Sequence, residues 1–433
     1  MSNIPRLLAL LLAVALAACS SAPAPPAPTP GAPSPAAEPT AAPRPTALPA
    51  ITRVAETPAP PSALVLWAVA QDDELAALRR LIADLSGPIG AQVVVVGKSA
   101  DGLLADVRAN ALAGLPLPDL FWGTQDELAL LQADERLQAP EDGLDQGAFL
   151  PAVIGAATVD GRRWGTPVAA QGYLLLLYNR KLVDSPPQTT DQLIARSRQL
   201  TGGGQYGLVA GWAEPRWFTA WLNGFGGAAL DPSGAPTLDT PQTVSALNLL
   251  RELRPSGPPP PSSYADGARL FRRGEAALAT DGDWSLPRYR AYSETLDLGF
   301  APMPAVPATG RPATSSMGGI YLMYNLALGG QRRDQAKALG RALVEPASQA
   351  RVAAELGRLP ALRAALADPA VAGNPALAAA AAQAAQAPAL PPTRALRCAW
   401  DAIRAQLAPV ILGEQTAEDA ARGMQTQAEV CLK

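Results

Sequence analysis

Eight tryptophans punctuate the 433-residue chain, and several stand beside glycine, aspartate or proline rather than inside apolar runs. Trp122 lies in Phe-Trp-Gly-Thr-Gln-Asp, Trp284 in Asp-Gly-Asp-Trp-Ser, and Trp217 follows Glu214-Pro-Arg. Each placement sets a flat, amphipathic ring next to hydrogen-bonding groups. Such a pairing suits a polyhydroxylated ring, which has an apolar C–H face and a polar rim. The competing reading is that these indoles are core, and Trp164 and Trp221 fit that reading best. Trp400 and Arg404 stand four apart, on a helix face shared with Cys398, Ile403 and Leu407. An indole with a guanidinium one turn on can stack a sugar and grip its hydroxyls. It can equally be a surface cation–π pair, and spacing does not choose between them.

Other chemistries are narrowed by composition. The chain has no histidine, which removes His-ligated metal sites and Ser-His-Asp or Cys-His catalysis together. Glu214, Asp281 and Asp283 invite comparison with a glycoside hydrolase, which needs two carboxylates flanking the scissile bond. With 38 Asp and Glu in the chain such groupings arise by chance, and none isolates an acid and a nucleophile. Gly202-Gly-Gly204 lacks the Lys-Ser/Thr of a phosphate loop and reads as a turn. No cofactor or metal is implied. A net charge of −3 argues against nucleic acid as a partner.

The elements that must position these residues begin after an unusual N-terminus. Leu7 to Ala18 is an apolar run of twelve behind Arg6. It is too short to span a bilayer but suits the apolar segment of a signal peptide. The run ends Leu16-Ala17-Ala18-Cys19, which looks like a lipobox with Cys19 as the lipid attachment point. Fourteen of the 45 prolines fall between Pro23 and Pro61, so residues 19–62 read as a polyproline-rich tether. Cys398 and Cys431 are the two remaining cysteines. Outside the cytoplasm they suggest a disulfide, with two buried free thiols as the alternative.

From Ala63 the pattern alternates. The apolar run Ala63–Trp67 reads as a strand, Asp72 opens a helix with leucines at helical spacing, and Val93–Val96 is a second strand. A helix over Leu103–Leu112 and a strand over Leu117–Phe121 follow. That order signals a parallel sheet covered by helices, whose ligands bind beyond the carboxyl ends of the strands. Trp67, Gln71, Trp122 and Asp126 lie at or just after such ends. A second block carries strands at Tyr173–Tyr178, Ala276–Ala279 and Asp297–Ala301, with a helix at Thr190–Leu200. The alanine-rich stretch Ala378–Ala387 reads as a solvated helix.

At this point the chain resembles the family-1 extracellular solute-binding proteins of the maltose/oligosaccharide-binding type, receptor subunits of ABC importers. The markers are Pro118-Asp-Leu-Phe-Trp-Gly123, Gly165-Thr-Pro-Val168 leading to Leu177-Tyr-Asn-Arg180, and Pro187-Gln-Thr-Thr-Asp-Gln-Leu193. Tyr206-Gly-Leu208, Glu214-Pro, Trp221-Leu-Asn-Gly-Phe-Gly-Gly227, Asp281-Gly-Asp-Trp284, Trp400-Asp-Ala-Ile-Arg404 and Gln415-Thr-Ala-Glu418 follow in order. The resemblance implies an α/β, two-lobed periplasmic-binding-protein fold of type II, each lobe a sheet flanked by helices, with the ligand cleft between them. It implies ligand contacts at Trp122 with Gln125 or Asp126, at Glu214 with Arg216 or Trp217, and at Trp284, Trp400 and Arg404. Trp67, Gln71, Asp72 and Gln171 complete the expected set. Three departures from the maltose type stand out. Val69, Gln71 and Asp72 replace Asn, Asp and Lys after the first strand, Gly172 replaces an acid, and Arg216 replaces an aromatic.

The chain is thus expected to divide into a signal peptide (1–18), a lipidated tether (19–62), a first lobe (63–170 with 305–365) and a second lobe (171–304 with 366–433). Its expected role is to capture a sugar, of the maltodextrin kind, as a membrane-tethered extracytoplasmic monomer, and to deliver it to an ABC transporter permease. The alternatives are an envelope glycoside hydrolase, or the same fold binding glycerol phosphate or a polyamine.

Overall fold

The computed structural model describes residue 60, residues 62–290 and residues 296–433. The expected signal peptide, Cys19 and nearly all of the tether lie outside the described residues. In chain order, β1 (Leu64–Val69), β2 (Val93–Lys98), β3 (Leu120–Thr124), β4 (Leu137–Gln138) and β5 (Thr166–Gln171) belong to a first sheet. The next four strands, β6 (Leu174–Asn179), β7 (Tyr206–Val209), β8 (Ala276–Gly282) and β9 (Leu298–Ala301), make a second sheet. The chain then returns to the first sheet with β10 (Gly318–Asn325) and β11 (Leu359–Pro360).

The order in the first sheet is β11-β5-β10-β3-β1-β2, with β4 also on β10. Strands β1, β2 and β3 are parallel, as the alternating pattern leads one to expect, but β10 runs antiparallel to β3 and β5. The second sheet, β9-β6-β8-β7, is also mixed: β8 is parallel to β7 and antiparallel to β6. Strand β6 follows β5 after only two residues, with Gly172 and Tyr173 carrying the chain from one sheet to the other.

Burial explains the continuous apolar runs. In β1, Leu64, Leu66 and Ala68 enter one core while Trp67, with Val65 and Val69 beside it, packs on the opposite side. The leucine run of β6 splits the same way, Leu174 and Leu176 into one core and Leu175 and Leu177 into another. Strands covered on both faces have no solvent side and so no polar alternation.

Helices α1 (Asp72–Ser86), α2 (Ala100–Leu112) and α3 (Gln125–Ala133) follow directly on β1, β2 and β3. Strand β3 begins three residues later than expected, because Pro116 and Pro118 have no backbone N–H to give a ladder. Helix α4 (Pro215–Gly224) carries Arg216 and Trp217, and α5 (Pro346–Leu356) ends at Gly357 in the left-handed conformation. Helix α6 (Pro375–Ala384) is not a solvated helix: Ala376, Leu377, Ala379, Ala380 and Ala384 are buried. Its Gln383 bonds Met303 N and Leu174 O, so small side chains serve close packing against the second sheet. Helices α7 (Arg394–Leu412) and α8 (Ala417–Leu432) pack together, and a Cys398–Cys431 disulfide joins them with Cα atoms 5.6 Å apart. Among the described residues no helix is long and apolar enough to cross a membrane.

Candidate functional site

The carboxyl ends of β1, β2 and β3 each deliver a helix N-terminus to one place. Gln71 precedes α1, Ser99 caps α2 through Gly102 N, and Thr124 caps α3. At α3 the cap is reciprocal: Thr124 N and Oγ1 both donate to Glu127 Oε2, at 2.7 and 2.6 Å, while Asp126 N donates to Thr124 Oγ1. Rigid seating of this turn fixes Gln125 and Asp126. The Gln125 Oε1 accepts from Gly319 N at 3.2 Å and from Gln171 Nε2 at 3.4 Å.

These ends form one wall of a cleft of about 620 Å³, whose other wall is Arg216, Asp283, Trp284 and Pro287. Seven of the expected residues line it: Gln71, Trp122, Gln125, Asp126, Gln171, Arg216 and Trp284. Trp122 is nearly buried because it lies within β3 rather than in the loop beyond, whereas Trp284 is 39% exposed.

The wall that carries Trp284 is built from the end of β8. Gly282 has no Cβ, and one added there would fall 2.1 Å from the Trp284 ring, so only glycine lets the indole fold back over the strand end. Trp284 Nε1 donates to Tyr264 Oη at 3.2 Å, and Tyr264 donates to Asp281 Oδ1 at 2.7 Å. Asp281 also accepts from Tyr289 at 2.5 Å and from Gly282 N. Burial raises its carboxyl, and these donors oppose the rise. Asp281 is therefore fully engaged in holding the aromatic platform.

Charged groups in the cleft form a linked set. Arg358, just after the α5 cap, grips Glu74 with Nε and Nη2 at 2.7–2.9 Å. Its Nη1 lies 3.8 Å from Asp283 Oδ2. Asp283 Oδ1 accepts from Gly172 N at 3.0 Å, and Arg216 Nη1 donates to Gly172 O at 3.0 Å. Gly172 has φ +79°, a conformation that suits glycine, and a Cβ there would meet the Arg216 guanidinium. Burial pushes the Asp283 carboxyl up to about 6, with Arg358 and the Gly172 N–H opposing. Burial lowers the Arg216 guanidinium, and Asp126 and Asp283 oppose that fall. Lys98 completes the charged lining and is itself paired with Asp106 at 2.9 Å. Three cations (Lys98, Arg216, Arg358) thus face three acidic side chains (Glu74, Asp126, Asp283).

Six expected residues do not line this cleft. Trp67 is turned into the core by strand alternation, with Lys98 Nζ 4.3 Å from its ring centroid. Asp72 is exposed at the first turn of α1. Trp217 is buried beneath Trp284, 5.9 Å away edge to face, with its Nε1 on Thr280 O at 2.7 Å. Glu214 stands at the start of α4 without a side-chain capping hydrogen bond and lies 3.7 Å from Arg404, which also pairs with Asp401 at 3.4 Å. Trp400 lines a separate cavity, with the Arg216 guanidinium carbon 5.2 Å from its ring centroid.

The cleft also holds residues that sequence reasoning passed over. Glu74 reads as one of three acids favoured by the α1 dipole, and Arg358 follows a helix-ending glycine in a stretch without other markers. Their pairing spans 284 positions and leaves no local signal.

Two sheets flanked by helices, with a cleft between strand ends, are the architecture of a binding protein, and the family comparison agrees. The family of bacterial extracellular solute-binding proteins matches residues 81–379, and the chain belongs to it. Members of this family bind solutes outside the cytoplasm. The chain is 26% identical over 325 residues to the maltotriose-binding protein of Pyrococcus abyssi, a match covering 72% of this chain and 69% of that one. Among solved structures it resembles a cyclo/maltodextrin-binding protein complexed with maltotetraose, with TM-score 0.75 and 22% identity over 87% of this chain and 99% of that one. It likewise resembles the cyclic alpha-maltosyl-1,6-maltose binding protein from Arthrobacter globiformis, with TM-score 0.75 and 23% identity over 86% and 100% of the two chains. These likenesses establish the two-lobed fold.

Proposed function

We propose that the protein captures a neutral carbohydrate in the cleft and delivers it to the permease of an ABC importer. The observation that carries this reading is the cleft lining. Trp284 offers an exposed ring face, Gln71, Gln125 and Gln171 offer amide donors and acceptors, and the charged side chains balance three against three. Such a lining favours an uncharged ligand rich in hydroxyls over a phosphate ester or a polyamine, either of which leaves an excess of one sign. The maltotriose binding named for the Pyrococcus relative supports a glucose oligosaccharide as the first ligand to test.

We assign residues 63–170 with 305–365 to the first lobe and 171–304 with 366–433 to the second. Membership of β1–β5, β10 and β11 in one sheet and of β6–β9 in the other supports the division. Cys19 takes the lipid, residues 19–62 form the tether, and the receptor acts as a monomer without catalysis. Lipid on Cys19 keeps the receptor beside its transporter, where its effective concentration is high.

Thermal unfolding against a panel of sugars tests the reading, since a ligand that binds only the folded state raises its melting temperature. Stabilisation by an oligosaccharide that is afterwards recovered intact is the expected result. Release of reducing ends points to a hydrolase instead, and stabilisation only by phosphate esters or polyamines points to a different solute.

A further inference from the structure

We infer that Arg216 caps the ligand site and sets the length of oligosaccharide that the cleft accepts. The inference rests on the carbohydrate reading above and concerns the same site. The Arg216 guanidinium carbon lies over two indoles at once, 5.5 Å from the Trp284 ring centroid and 5.2 Å from that of Trp400. A planar cation over an indole face occupies the place that a sugar ring takes when it stacks there.

The two indoles belong to different spaces. Trp284 and Arg216 line the cleft, whereas Trp400 lines a second cavity of about 620 Å³ with Thr219, Asn223, Leu230, Ser316 and Pro391. That cavity joins apolar and hydroxyl- or amide-bearing walls, the mixture a further sugar unit requires. Arg216, on the cleft side, and the Trp400 ring, on the cavity side, meet where the two spaces approach each other.

The cap has few direct polar partners to give up. Among the described residues Arg216 makes one hydrogen bond, from Nη1 to Gly172 O, and no ion pair within 4 Å. Ser315 Oγ also approaches that carbonyl, at 3.4 Å, so Gly172 keeps a donor when Arg216 is lost. A short ligand fits between the strand ends and Trp284 with the guanidinium in place. A longer one must displace the guanidinium from both rings to reach Trp400.

Calorimetric titration of maltose and maltotetraose, with cellobiose and cellotetraose as a second series, tests the assignment on the wild type, Arg216→Ala and Arg216→Gln. Removing the cap should shift the ratio of the two dissociation constants tenfold or more towards the tetrasaccharide. Arg216→Gln should shift it in the same direction, and serves as the test should the alanine variant fail to fold. Binding of both lengths with an unchanged ratio overturns the capping role and leaves the carbohydrate reading standing. Failure of the wild type to bind any sugar overturns the carbohydrate reading, and the cap falls with it.

Discussion

Arg358 and Asp283 face each other across the cleft, Nη1 to Oδ2 at 3.8 Å, one standing at the head of a first-sheet strand and the other at the end of a second-sheet strand. The same aspartate accepts the N–H of Gly172, the residue through which β5 passes into β6. Charge and chain crossing therefore meet at one carboxyl.

That meeting has a pH signature. The carboxyl titrates near 3.8 when unfolded and near 6 when folded. Below about pH 4 both states carry the proton, and between pH 4 and 6 the folded chain alone retains it. Stability accordingly falls as pH rises through this window, by up to about 3 kcal/mol from this group. In Asp283→Asn the fall should be absent, so urea unfolding at pH 4 and pH 7 should show the variant losing less than the wild type. Equal losses in the two proteins would remove Asp283 from the account.

Trp284 is the exposed ring of the cleft. Trp284→Ala should weaken sugar binding tenfold or more while leaving the melting temperature without ligand nearly unchanged. Titration calorimetry paired with a thermal scan separates the two effects, and an unaltered dissociation constant counts against a stacking role.

Trp217 supports that ring from beneath and contributes mainly to the fold. Trp217→Ala empties a buried site and strands Thr280 O, which should cost about 3–5 kcal/mol in denaturant unfolding. A loss below about 1 kcal/mol would show that the indole is not packed as described.

Glu74 holds the fork of Arg358. Glu74→Gln leaves that guanidinium leaning on Asp283 alone, at a half-buried place where a pair is worth about 1–2 kcal/mol, between the surface and buried cases. The same change frees Arg358 to move, so sugar affinity should fall as well. Unchanged stability and affinity together would mean that the pair does not organise the cleft.

The Cys398–Cys431 bond closes a 33-residue separation between α7 and α8. Reduction, or Cys398→Ala with Cys431→Ala, should lower stability by about 3–4 kcal/mol on the chain-entropy account. Equal unfolding midpoints with and without reductant would argue otherwise.

Much of the fold is readable in order along the chain. Apolar runs such as Leu64–Val69 and Leu174–Asn179 are strands covered on both sides, and Asp72 does open a helix. What stays hidden is pairing between distant segments. Nothing near Gly318 says that β10 inserts between β3 and β5, and nothing near Gly357 says that Arg358 reaches Glu74. Trp67, Trp122 and Trp217 carry the same chemistry as Trp284, yet strand phase and helix face bury those three almost completely, and of the four the Trp284 ring alone is exposed. Residue type marks candidates, while register decides which of them reach the ligand.

The late arrival of Gly318–Asn325 in the middle of the first sheet imposes an order of assembly. The parallel strands β1, β2 and β3 emerge early from the ribosome, but their neighbour on one side is made only after the whole second sheet. A nascent chain must leave that edge open until then, because the loop to be closed is long. Any chain that stops short of Gly318 therefore carries β3 with one edge unpaired, and the first sheet closes only when that segment arrives.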